Sequence, residues 1–132
     1  MINKKNGVKV SRDNVVYDKA YQFAIRIVKA YQFLSSEKKE FVLSKQLLRS
    51  GTSIGANIAE ANGGISKADF SNKISIAYKE CLETKYWLDL LKDTTFIDEK
   101  THESMYSDAD EIAKILFSIL KTTRIENKKN DY

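Results

Sequence analysis

The sequence predicts an all-α protein, a single-domain four-helix bundle with up-down-up-down antiparallel topology. Three observations carry this. There is no proline, and four of the five glycines fall between 51 and 64, a composition that suits long helices and argues against a turn-rich β fold. Apolar residues recur at steps of three and four in four separate segments, the spacing of helices that bury one face. The breaks between those segments are short, and short connections make consecutive helices antiparallel. A chain of 132 residues is enough for one such domain with one core.

The first helix is expected over 14–34, with Asp13 or Asn14 able to cap it. Val16, Ala20, Phe23, Ile27, Ala30 and Leu34 form one apolar seam, and Tyr17, Tyr21, Ala24, Val28 and Tyr31 a second. Together they are wider than one bundle face needs. The second helix is expected over 37–62, its start open between Ser36 and Ser44. It turns Leu47, Gly51, Ile54, Ile58 and Ala61 toward a core and stops at Asn62-Gly63-Gly64, residues that tolerate positive φ. The third, over 66–92, opens on Ser66-Lys67-Ala68-Asp69, a capping box with Asp in place of Glu. Its seam of Phe70, Ile74, Ala77, Cys81, Thr84, Leu88 and Leu91 has the heptad spacing of near-parallel packing. A neighbouring line, Ile76, Glu80, Glu83, Trp87 and Leu90, sets two carboxylates in an apolar stripe. The fourth helix, over 98–123, has Glu99 in its first turn, where the dipole favours an acid. Met105, Ala109, Ile112, Leu116 and Ile119 form its seam, with Tyr106, Ala113, Phe117 and Leu120 beside it. The bundle thus occupies 13–124, between a basic N-terminal tail, 1–12, and a C-terminal tail, 125–132.

The second helix carries two special stripes. Gly51, Gly55, Ala59 and Gly63 recur every four positions and leave one face bare, so another helix can approach closely. Arg49, Ser53, Asn57 and Glu60 form a polar line beside it. A polar line next to a bare one implies a hydrogen-bonded seam, because unpaired polar groups in a tight contact are costly. If the turn after this helix centres near residue 64 or 65, Arg49 lies level with Glu80 and one turn from Glu83. Asn57 then lies level with Asn72, and Glu60 near Asp69. Arg49 is therefore expected to form a forked, charge-assisted pair with Glu80 or Glu83, in its own chain or a neighbour. Every helix also has a second apolar line. One bundle of this length cannot bury them all, so a partner is expected.

Gln46 to Glu60, with Asp69-Phe70, Ile76-Ala77, Glu80, Glu83-Thr84 and Trp87-Leu88, resembles a bacterial four-helix-bundle family. Its members were first noticed as reading frames in intervening sequences of 23S ribosomal RNA. Arg49, Ser53, Ile54, Asn57, Ile58, Ala59 and Glu60 satisfy the family signature, and the resemblance runs from about Tyr17 to Leu120. Many members carry Pro where Gly55 stands and Gly where Ala61 stands. The resemblance implies a homopentamer. It extends to the accessory protein of diversity-generating retroelements, a pentameric partner of a reverse transcriptase thought to bind nucleic acid, and so implies an RNA- or DNA-binding scaffold.

Net charge is +4, and its distribution is uneven. Lys4, Lys5, Lys9 and Arg12 face only Asp13 near the start; Lys121, Arg124, Lys128 and Lys129 face Glu126 and Asp131 near the end. In an up-down bundle the two segments are neighbours, and a ring would gather them into a basic rim that attracts a polyanion. No apolar run has the length of a membrane span and no signal-peptide pattern opens the chain, so no membrane partner and a cytoplasmic location are expected.

Catalytic and metal chemistry find little support. Cys81 is the only cysteine, so no internal disulfide or multi-cysteine zinc site is possible, and its place on the heptad seam makes it a core residue. Glu99-Lys100-Thr101-His102 fits the Glu-x-x-His element of di-iron bundles once, but His102 is the only histidine and stands at a helix start. A metal site of Glu80, Glu83 and His102 is short of ligands. No phosphate-binding glycine loop is present, and Tyr86 and Trp87 fit a core or interface. No catalytic residue, cofactor or metal is assigned, and an enzyme is not expected. The functional expectation is a non-catalytic oligomeric module that binds RNA or DNA through a basic rim. The alternatives are a protein–protein scaffold with no nucleic-acid role and, more distantly, a metal-dependent enzyme.

Overall fold

A computed structural model describes the backbone of residues 12–130 and the side chains of residues 15–124. It contains four helices: α1 Arg12–Ser36, α2 Leu43–Asn62, α3 Lys67–Asp93 and α4 Glu99–Asn130. α1 packs on α2, α2 on α3, α3 on α4 and α4 back on α1, and among the described residues the diagonal backbones do not approach closely. That is the square of an antiparallel four-helix bundle. Arg49 meets Glu80 and Glu83, while Glu60, eleven residues further on, meets Lys73. The partners descend as the first residue ascends, so α2 and α3 run in opposite directions.

The apolar lines fill the centre. Val16, Ala20, Phe23, Ile27 and Leu34 of α1 are buried against Leu47, Ile54 and Ile58 of α2. Ile74, Ala77, Cys81, Leu88 and Leu91 of α3 and Met105, Ala109, Ile112, Leu116 and Ile119 of α4 complete the core. The second lines divide. Ala113 and Leu120 are buried and Tyr17, Trp87 and Tyr106 pack partly against the core, whereas Tyr21, Val28 and Phe117 stay exposed.

Two expected boundaries are corrected. α2 starts at Leu43 and not at 37. Lys39 takes a left-handed conformation, φ 54°, which ends helical continuity after α1. Glu40 then caps the new helix: its carboxylate accepts from the backbone N–H of Val42 (3.2 Å), Leu43 (3.1 Å) and Ser44 (2.6 Å). Those amides have no partner within the helix, so the cap sets its origin. At the other end of the chain, α4 continues to Asn130, so residues 125–130 are helical and not a separate tail. No glycine or proline interrupts this stretch, and its lysines favour a helix C-terminus. Arg12 opens α1, and the rest of the expected N-terminal tail lies outside the described residues.

The stop after α2 needs no left-handed residue: Gly63 has φ −94°, and its N–H donates to Ala59 O at 3.3 Å. Gly64 is needed for space instead, because a Cβ there would stand 3.0 Å from both Ala61 O and Asp69 Oδ2. Ser66 caps α3 by accepting from Asp69 N at 3.0 Å.

Candidate functional site

The two stripes of α2 face different neighbours. The first half of the bare stripe lies against α1, while Ala59 and Gly63 are exposed; Gly51 packs on Ile27 so closely that a Cβ would fall 2.6 Å from Ile27 Cγ1. Gly55 faces Ala20, with 3.7 Å to spare for the same atom. Close approach is therefore realised inside the chain, between α1 and α2.

The polar stripe faces α3. Arg49 Nη1 donates to Glu80 Oε2 at 3.1 Å, and Nη2 donates to Glu83 Oε2. Trp87 Nε1 donates to the same Glu83 oxygen at 2.9 Å. Glu83 is thus a bridge between a guanidinium and an indole, and the Trp87 and Arg49 bonds together hold its carboxyl below the ordinary glutamate value, against the opposing effect of burial. Glu83 and Glu80 in turn push the Arg49 guanidinium up. The Arg49 side chain is 49% exposed and that of Glu80 only 16%, so the network lies at the rim of the seam.

The other members of the expected line do not cross it. Ser53 Oγ donates to Arg49 O at 2.7 Å, and Asn57 Nδ2 donates to Ser53 O at 2.8 Å, both within α2. Glu60 pairs with Lys73 at 2.9 Å, one turn beyond Asp69. Beneath Arg49 lies a contact that the sequence reading missed: Ser50 Oγ and Thr84 Oγ1, both residues wholly buried, stand 3.0 Å apart. Its signal was Thr84 itself, a hydroxyl at a core position of the heptad, which needs a partner.

The groups weighed for catalysis are otherwise engaged. Cys81 is fully buried, and burial pushes its thiol up to about 12, so it is protonated at neutral pH. His102 Nε2 lies 2.7 Å from Asp89 Oδ1, and its ring stacks on Tyr106 at 5.1 Å. It shares no bond with Glu80 or Glu83, which are committed to Arg49. Among the described residues no three His, Cys, Asp or Glu side chains gather to hold a metal. Among the described residues no helix is long and apolar enough to cross a membrane.

Of the basic residues, Lys121 and Arg124 are exposed on α4. Arg12, Lys128 and Lys129 have helical backbones, but their side chains lie outside the described residues, as do Lys4, Lys5 and Lys9 altogether.

A model of the family described as 23S rRNA-intervening sequence protein matches residues 12–118. The chain belongs to this family. The matched span takes in α1, α2 and α3 and most of α4, including Arg49, Glu80 and Glu83. A solved relative shares its shape: the crystal structure, at 1.70 Å, of a protein with unknown function from the S23 ribosomal protein family of Bacteroides thetaiotaomicron VPI-5482. It is 58% identical, spans 84% of this chain and 99% of its own, and superposes with a TM-score of 0.83. No curated protein matches the chain. Family and fold are thus plain, and nothing in either indicates catalysis.

Proposed function

We propose that this family member is a non-catalytic helical module that assembles into a ring of identical subunits, a homopentamer, and holds RNA or DNA at the end where its basic segments meet. One observation carries the nucleic-acid part. From residue 114 onward α4 bears Lys114, Lys121, Arg124, Lys128 and Lys129 against Glu126 alone, on a single continuous helix. That rod runs antiparallel to α1, as the Lys19–Glu111 and Arg26–Asp108 pairs show, and passes the level at which Arg12 opens α1; Lys4, Lys5 and Lys9 precede Arg12 in the sequence. Positive charge collected on one end attracts phosphates, and a ring multiplies it by the number of subunits. A cytoplasmic location goes with this role.

The assembly part rests on apolar side chains that the bundle leaves outside. Tyr21, Ile25 and Val28 follow one another along α1 and are all exposed. Ala56 and Ala59 on α2 are exposed as well and present little bulk. Such a surface on a small domain fits a second copy. The same surface favours a second reading, a protein–protein scaffold with no nucleic-acid role.

Gel-shift titration at two salt concentrations tests the first reading. Binding is expected to weaken steeply with salt and to weaken again when Lys128 and Lys129 are replaced by alanine. No shift at low salt, or indifference to both lysines, overturns it and leaves the scaffold. Light scattering on the parent and on Arg49→Ala tests assembly: a monomeric parent removes the ring. A metal enzyme built on Glu80, Glu83 and His102 is not favoured, because those three side chains are held by two separate networks.

A further inference from the structure

We propose that the bound nucleic acid is single-stranded at the point of contact and lies across the outer face shared by α3 and α4, its bases stacked on Phe117 and Tyr78. This rests on the nucleic-acid reading above and narrows it.

Phe117 is 45% exposed on the surface of α4. It does not stand alone. Its ring meets that of Tyr78 at 5.8 Å with a tilt of 42°, and Lys121 Nζ sits 5.9 Å from its centre. Leu82, one turn beyond Tyr78, is 44% exposed and extends the platform. The result is an open apolar shelf made by two helices, with a cation already resting on one ring.

Charge frames the shelf with one sign. Lys79 is exposed beside Tyr78, and Lys114 and Lys121 flank Phe117 along α4, with Arg124 one turn beyond. Between Lys114 and Arg124 α4 carries no carboxylate. The nearest on that face, Asp110, is already bonded to Lys85 at 2.8 Å and to Lys114 at 3.0 Å. Glu80, the one carboxylate on this stretch of α3, is turned away to Arg49.

A duplex keeps its base faces inside the stack and uses only the charge of such a surface. A single strand uses both: phosphates reach the lysines while bases lie on the aromatic rings. A second copy of this chain would need carboxylates facing those four cations to cover the shelf, so the charge favours a polyanion.

Fluorescence anisotropy with labelled oligothymidylate of about twenty nucleotides, and with a duplex of the same length, tests this on the full chain. The single strand is expected to bind more tightly than the duplex. Phe117→Ala should weaken the single strand about ten-fold and leave the duplex unchanged. Phe117→Trp should restore single-strand binding, which separates lost stacking from a damaged fold. If Phe117→Ala weakens both probes equally, or neither, the stacking shelf is wrong and the nucleic-acid reading survives. If Phe117→Ala instead lowers the mass measured by light scattering without a selective loss of single-strand binding, the shelf is a contact between copies and the proposal fails. If neither probe binds the parent at low salt, both readings fall.

Discussion

Ser50 and Thr84 face each other across the α2–α3 seam with their hydroxyl oxygens 3.0 Å apart and no access to solvent. The contact sits one residue inside the Arg49 fork, so the seam is polar from its rim to its centre at this level. Thr84 Oγ1 also reaches the Glu80 carbonyl at 2.8 Å, so Ser50 depends on the contact more than Thr84 does. Thr84→Val keeps the shape and deletes the bond, leaving Ser50 Oγ only the Leu47 carbonyl at 3.4 Å. The variant should lose about 1–2 kcal/mol of stability in urea denaturation. Adding Ser50→Ala to it should cost less than the sum of the two single changes, since the partner left behind is removed. Strict additivity would show that the hydroxyls act independently.

Gly51 and Gly55 lie one helical turn apart on the same stripe, yet alanine should act on them with opposite sign. At 51 a new Cβ meets three atoms of Ile27 between 2.6 and 2.9 Å. Ile27 is wholly buried and β-branched, so it cannot move aside freely. Gly51→Ala should destabilise by about 1–3 kcal/mol. At 55 the nearest atoms are 3.7 Å away, an ordinary contact. Gly55→Ala should stabilise by about 0.5–1 kcal/mol through helix propensity and reduced freedom of the unfolded chain. Thermal melts of the two variants decide it; a shift in the same direction for both would refute the spacing.

Much of this was legible from residue spacing. The heptad of α3 reads straight into burial, from Ile74 through Leu91, because only one face of that helix can reach a core. The pairing of Arg49 with Glu80 and Glu83 followed from the level of a short hairpin. The start of α2 was not legible. Residues 37–40 have charged side chains that suit a helix as well as a loop, and the deciding event is a fold-back of Glu40 onto amides two to four residues ahead. The end of α4 was missed for a different reason: the apolar lines stop at Leu120, but the backbone stays helical to Asn130, with no glycine or proline to end it. Ser53 and Asn57 stayed on α2 because short polar side chains reach the carbonyl four residues back more easily than they span a seam.

The cap of α2 makes a prediction in acid. Burial raises the pKa of Glu40, but bonds from the amides of Ser44, Leu43 and Val42 and from the Ser44 side chain outweigh it, and the group is held below the ordinary value of 4.5. A carboxyl with a lowered folded pKa contributes its full stabilisation above the unfolded value and loses it as pH falls through the folded one. Glu40→Gln should therefore cost about 1 kcal/mol at neutral pH, the worth of a typical cap. The gap between variant and parent should close below pH 4.5. A gap that persists undiminished in strong acid would mean that the charge of Glu40 is not what caps the helix.

Trp87, the only tryptophan, reports on the Arg49 network directly, because its indole N–H donates to the Glu83 oxygen that also receives Arg49. The Glu83 carboxyl is held low first by Trp87 and then by Arg49, with burial opposing both. Protonating Glu83 weakens the indole bond, so Trp87 emission should change with a midpoint below 4.5. Arg49→Ala removes one of the two lowering influences and keeps the other. The midpoint should therefore move upward in that variant, toward the ordinary glutamate value. Far-UV circular dichroism at each pH separates this local titration from unfolding. An emission midpoint that does not move on loss of Arg49 would show that the guanidinium and the indole are not joined through Glu83.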